Sequence, residues 1–144
     1  GDIHTPGLIK HVKQEAAKEA FVIVDAPPGT SCPVIEAVKG ADFVVLVTEP
    51  TPFGLNDLKL AVGMVRELRL PFAVAINRSD LGDDRVHRYC DEENIEIILE
   101  IPDDRRIAEA YSVGSMMSDV LPEYRKKFLD LYESLSKRKA GQNA

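Results

Sequence analysis

The feature that most constrains this chain is an alternation of short, apolar runs with stretches of helical spacing. The runs are Phe21-Val-Ile-Val24, Phe43-Val-Val-Leu-Val47, Phe72-Ala-Val-Ala-Ile76 and Ile95-Glu-Ile-Ile-Leu99. Continuous rather than alternating hydrophobicity is what a strand covered on both faces requires. Between the second and third runs, Leu55, Leu58, Val62, Val65 and Leu68 step by three or four, which marks one buried helix face. Leu121, Tyr124, Phe128, Leu131 and Leu135 repeat that spacing near the end of the sequence. Thr5-Pro6 suits a helix start, since proline at the first helical position gives up no needed donor. Asp83-Asp84 ahead of Val86, and Asp103-Asp104 ahead of Ile107, supply caps and favourable charge at two further helix starts. Strands alternating with helices imply right-handed crossovers. The expected fold is therefore α/β, a three-layer, mostly parallel sheet flanked by helices.

With 144 residues and no linker, repeat or low-complexity stretch, a single domain over 1–144 is expected. Its ordered core should run from about 6 to 136, with 137–144 as a flexible tail. The net charge of −6 argues against a nucleic-acid partner, because counterion release needs clustered cations. The basic residues Lys126-Lys127 and Lys137-Arg138-Lys139 read as a solvated helix face and tail. Two cysteines, Cys32 and Cys90, lie far apart, so neither a zinc nor an iron–sulfur ligand pair is spelled within the sequence. Burial is the expected fate of Cys32, packing that of Cys90, and Met116-Met117 are expected to fill a core gap. No signal peptide is visible, and no apolar run approaches the ~20 residues of a membrane-spanning helix. A cytoplasmic, reducing compartment without integral membrane contact is the expectation.

In an open parallel sheet, ligands bind beyond the carboxyl ends of the strands. The segments there are Asp25-Ala-Pro-Pro-Gly-Thr30, Thr48-Glu-Pro-Thr-Pro52, Asn77-Arg-Ser-Asp80 and Glu100-Ile-Pro-Asp-Asp104. An aspartate at a strand tip followed by Pro-Pro-Gly can hold a magnesium-bound water beside a triphosphate. The same residues also make an ordinary capped turn. Asn77 offers a donor and an acceptor to a purine edge, and equally an Asx turn.

Val22-Ile-Val-Asp-Ala-Pro-Pro-Gly-Thr30 resembles the switch II segment of the MinD, ParA and Mrp ATPases, deviant-Walker P-loop proteins. Ser31-Cys-Pro-Val-Ile35 and Val47-Thr-Glu-Pro-Thr-Pro-Phe-Gly-Leu55 resemble the MinD-superfamily branch that carries an inserted ferredoxin domain. Ile101-Pro-Asp-Asp-Arg-Arg-Ile-Ala-Glu-Ala110 is similar to the family's late strand-to-helix turn. The likeness runs from about Gly7 to Leu135. It implies that Asp25 is the catalytic switch residue and reaches Mg2+ through water, and that Pro28 and Gly29 lie at the γ-phosphate. It further implies that Asn77 and Asp80 lie at the base, with Pro102 and Asp104 flanking it from the other side; Asp104 reads equally as a helix cap. In related GTPases an aspartate placed like Asp80 accepts from guanine, so the motif leaves ATP and GTP open.

The sequence holds no GxxxxGK[ST] loop and no variant with an early second lysine. By resemblance, that loop and any ferredoxin cysteines would precede Phe21, making this the C-terminal portion of a partial P-loop fold that lacks the phosphate-loop strand. ATP, Mg2+ and an iron–sulfur cluster in the insertion are implied for a longer protein. So are homodimerisation, the missing N-terminal part as a partner, and a client protein. This chain alone is expected to be inactive. The competing readings are an α/β protein-interaction module that no longer binds nucleotide, and a receiver- or flavodoxin-like domain. The receiver's paired acids and flavodoxin's hydroxyl-rich loop are not evident.

Overall fold

A computed structural model describes residues 21–142. The helix start expected at Thr5-Pro6 lies outside them. The described residues pack as two units interleaved along the chain: residues up to 44 with 56–72, and residues 45–55 with those from 73 onward.

In the first unit, helix α1 (Cys32–Val38) has proline in its first turn and buries Val34, Ala37 and Val38. Helix α2 (Pro52–Glu67) contributes its length from Asn56 onward and buries Leu58, Val62 and Val65, the stripe that the spacing predicts. Arg69 ends this helix in a left-handed conformation (φ 56°), and the Leu70 amide donates back to the Val65 carbonyl at 3.0 Å. That turn delivers the chain into the next strand.

Phe21–Val24 is not a strand, contrary to its pattern. Ile23 is 84% exposed, and Val22 and Val24 are also exposed. An apolar run becomes a strand only where a neighbour completes its hydrogen-bond ladder. Among the described residues the sheet contains only β1, β2 and β3.

Apart from the first residues of β1 and β2, the sheet lies in the second unit, in the order β1 (Val44–Thr48), β2 (Phe72–Asn77), β3 (Ile97–Ile101). The three strands are parallel. Val74 stands opposite Ile97 and Asn77 opposite Ile101, with a register shift between Val74 and Ala75. The central strand is the driest: Ala73, Val74, Ala75 and Ile76 are all buried. This explains its uniform hydrophobicity. Helix α3 (Arg85–Glu92) buries Val86 and Cys90, four residues apart on one face, so Cys90 packs as expected.

Helices α4 (Arg105–Ser112) and α5 (Met117–Val120) lead into α6 (Pro122–Gln142). The last helix runs through residues 137–142, which the sequence reading assigns to a tail. Arg138 pairs with Glu96 at 2.6 Å, and Lys127 donates to the Glu100 carbonyl at 3.0 Å. The basic residues of α6 thus satisfy groups on and beside the outer strand β3, which helps to protect an open sheet edge. Cys32 is exposed rather than buried, because it stands at the first position of α1, outside the buried Val34–Ala37–Val38 side. Met116 is 57% exposed and fills no core gap, since it caps the short helix α5.

Candidate functional site

The loops after β1, β2 and β3 meet at the carboxyl end of the sheet. There they are joined by hydrogen bonds that the strand register makes possible. Asn77 and Ile101 are register partners, so Arg78–Asp80 and Pro102–Asp104 leave the sheet side by side. The Ser79 amide donates to the Ile101 carbonyl at 2.9 Å, one ladder step past the strand. The Asp103 amide donates in the opposite sense to the Asp80 carboxylate at 2.7 Å. Arg78 has a left-handed backbone (φ 51°). Its guanidinium donates to Asp103 at 3.2 Å and lies 3.9 Å from Glu49 at the end of β1. One arginine therefore spans all three loops.

The β1 loop is fixed by its own residues. Thr48 is buried and its hydroxyl donates to the Gly54 carbonyl at 3.0 Å, while the Thr51 hydroxyl accepts from the Gly54 amide at 2.9 Å. The latter bond caps the start of α2. A Cβ at Gly54 would stand 2.2 Å from the Glu49 carbonyl oxygen, so only glycine fits there. Gly82 closes the β2 loop with φ 69°, and a Cβ on it would meet the Pro50 carbonyl oxygen at 2.0 Å. Both glycines bring backbone against backbone.

Asn77 is exposed at the last position of β2, and its side-chain oxygen accepts from the Arg78 amide at 3.0 Å. Pro102, which is half-buried, directly follows Ile101, the register partner of Asn77. Asp80 is exposed with one carboxylate oxygen engaged. The structure therefore brings Asn77, Asp80 and Pro102 to one rim.

Asp104 belongs to a different arrangement. It is the N-cap of α4 and accepts from the Arg106 amide at 2.9 Å. The Arg106 guanidinium grips the same carboxylate at 2.7 Å, and the Tyr124 hydroxyl donates to it at 2.6 Å. The bond from Arg106, then that from Tyr124, holds the Asp104 carboxyl well below the usual carboxylate range. Asp104 and Glu123 in turn push the Arg106 guanidinium up. Burial, followed by the bond to Asp104, raises the Tyr124 hydroxyl. These partners tie the start of α4 to the start of α6, the helix-cap alternative left open by the sequence.

Asp25, Pro28 and Gly29 lie in the other unit, in the turn before α1. Asp25 is exposed, and Gly29 has φ 97° with open space where a Cβ would stand. The positive φ alone favours glycine. No group of three or more His, Cys, Asp or Glu able to hold a metal occurs among the described residues.

Sequence reasoning singled out Asn77, Asp80, Pro102 and Asp104 but passed over Glu49, Arg78 and Asp103. Each of those three lies in a strand-end segment; what the sequence withholds is the left-handed turn that aims Arg78 across the loops. Chemically, the rim offers an amide, a carboxylate oxygen, a guanidinium and a proline ring face. That set suits a planar ring with mixed donors and acceptors.

No family model matches the chain. It is 39% identical to the uncharacterized protein MJ0579 of Methanocaldococcus jannaschii over 92 residues, covering 64% of this chain and 31% of that protein. It is 30% identical to the iron-sulfur cluster carrier protein of Aquifex aeolicus over 133 residues, covering 81% of this chain and 36% of the relative. The septum site-determining protein MinD of Pyrococcus horikoshii, solved in complex with Mg-ADP, superposes with a TM-score of 0.69 at 27% identity. That superposition covers 98% of this chain and 58% of MinD. The chain thus spans about a third of the length of these two relatives and over half that of the solved MinD.

Proposed function

We propose, for a chain that is MinD-like in both sequence and fold, that it is the base-side and switch-side portion of a nucleotide-dependent ATPase. The observation that carries this is the stitched rim at the ends of β2 and β3, where Asn77, Asp80 and Pro102 share one surface. Ligands of open α/β sheets bind at such a rim. In this reading the Asn77 amide faces the purine edge and Pro102 flanks the ring. Asp25 orients a magnesium-bound water, and the Gly29 amide approaches the terminal phosphate beside Pro28. Mg-ADP in the Pyrococcus horikoshii MinD supports the same ligand class here. The phosphate-binding loop would come from a segment outside this sequence, which is why the chain is read as a C-terminal portion. The names of the carrier relatives support a link to iron–sulfur chemistry. Homodimerisation, a ferredoxin insertion and a cytoplasmic setting belong to the same proposal. Among the described residues no helix is long and apolar enough to cross a membrane.

Without the loop that neutralises phosphate charge, positioning and charge stabilisation are both incomplete. Calorimetric titration of this chain with Mg-ATP should therefore show binding no tighter than about millimolar and no measurable hydrolysis. Micromolar affinity would overturn the assignment of the phosphate site to a missing segment. The second reading, a protein-interaction module, draws on the exposed Tyr111, Val113 and Met116. Saturation-transfer NMR on the parent and an N77A variant separates the two: an adenosine signal that N77A removes favours the nucleotide reading, and a signal indifferent to N77A favours the module.

A further inference from the structure

The carboxylate of Asp80 occupies the position from which an Asn-x-x-Asp motif can read a base, yet its Oδ1 accepts from the Asp103 amide at 2.7 Å. The reciprocal link, Ser79 amide to Ile101 carbonyl at 2.9 Å, runs between the same two loops. The Asp103 side chain is held separately by Arg78 at 3.2 Å. The turn 102–104 therefore has its carbonyl entrance, its amide and its side chain each fixed from the β2 loop. Of these ties, Asp80 is the one made by a charged side chain to a backbone donor, the stronger class of hydrogen bond.

From this geometry we infer that Asp80 is a positioning residue: it fixes the 102–104 turn, and with it the Pro102 ring, instead of reading the base. The inference rests on the nucleotide reading for what Pro102 meets, but the fixation of the turn stands on the structure alone. An asparagine at 80 keeps a side-chain oxygen that can accept the Asp103 amide, whereas alanine removes it. A base reader of the guanine type behaves differently, because it needs a carboxylate that accepts from both the ring N1–H and the exocyclic amino group.

Amide hydrogen exchange on this chain and its D80A and D80N variants tests the inference. In D80A the Asp103 amide should exchange on the order of tenfold faster or more, while the amides of β2 at Val74 and Ile76 keep their protection. D80N should restore most of the Asp103 protection. Equal Asp103 exchange in the parent and D80A would overturn the inference, whatever the nucleotide result. A second arm uses ADP and GDP at millimolar concentration in saturation-transfer NMR. Parallel loss of both signals in D80A, with both rescued in D80N, supports positioning. Selective loss of GDP in D80N shows base reading and overturns it. Should neither nucleotide bind any form, as the missing phosphate loop allows, the exchange data alone decide the role of Asp80.

Discussion

Asp104 shows how one residue type at one position carries a structural load that a motif cannot reveal. Its carboxylate takes the Arg106 amide, the Arg106 guanidinium and the Tyr124 hydroxyl, and the pair with Arg106 continues to Glu123. The bond from Arg106 is the largest cause of its depressed pKa. A carboxyl whose folded-state pKa is depressed adds stability that is fully present above its unfolded value, about 3.9. That stability is lost as pH falls through the lower folded-state value. Replacing Asp104 by Asn keeps an acceptor but removes the charge. The expected outcome is a variant less stable than the parent from neutral pH down to about pH 4, with the deficit shrinking as the pH drops further. Denaturant unfolding across that range would check this, and a deficit constant with pH would argue against the charged network. Asp80, also an aspartate in a strand-end turn, holds a neighbouring backbone amide instead. The β2–β3 register brings the Asp103 amide to Asp80, whereas Asp104 finds its partners on its own helix and on α6.

At the scale of the element, α2 separates buried from exposed leucines within three residues. Leu58 is 3% exposed and Leu60 is 58% exposed. Leu58→Ala should cost about 2–5 kcal/mol, the range for a large-to-small change in a packed site. Leu60→Ala should stay within about 0.5 kcal/mol. Thermal or chemical unfolding of the two variants would test the assigned face, and equal effects would mean the stripe is misplaced. This face was legible because helical spacing needs only the local sequence. β1 and β2 were legible because uniform hydrophobicity is strong evidence for a covered strand, and β3 from an apolar run interrupted by Glu96. Phe21–Val24 carries the same signal and failed, since a strand also requires a ladder neighbour that the local sequence does not specify. The rim was half legible. Asn77, Asp80 and Pro102 follow apolar runs directly and could be marked. The reach of Arg78 to Glu49 and Asp103 depends on a left-handed φ in a non-glycine residue, which sequence patterns rarely forecast. Cys32 and Met116 were misjudged because burial preferences describe residue types, whereas a helix start and a helix cap place individual residues outward.

At the scale of the whole molecule, the distribution of apolar surface bears on how the chain behaves in solution. Among the described residues β1 has a single neighbour in the sheet, so one of its edges carries backbone groups outside any ladder they form. Its sequence, Val-Val-Leu-Val-Thr, is that of a strand suited to the interior of a sheet, yet Val47 is 71% exposed. Edge strands of this kind are templates for pairing with another chain, and lysine is one of the residues that protects them. Ile23, 84% exposed, is a second apolar surface belonging to the other unit. The net charge of −6 opposes association between copies but is screened within about 8 Å at physiological salt. Short-range apolar contact therefore decides whether copies associate. Sedimentation velocity over a concentration series should show the parent associating and V47K largely monomeric, with the substitution shifting folding stability by no more than about 0.5 kcal/mol. If I23K relieves association while V47K does not, the contact runs through the segment before Asp25 and the β1 edge is not its origin. If neither substitution changes it, association arises elsewhere, and β1 behaves as an adequately protected edge despite its composition.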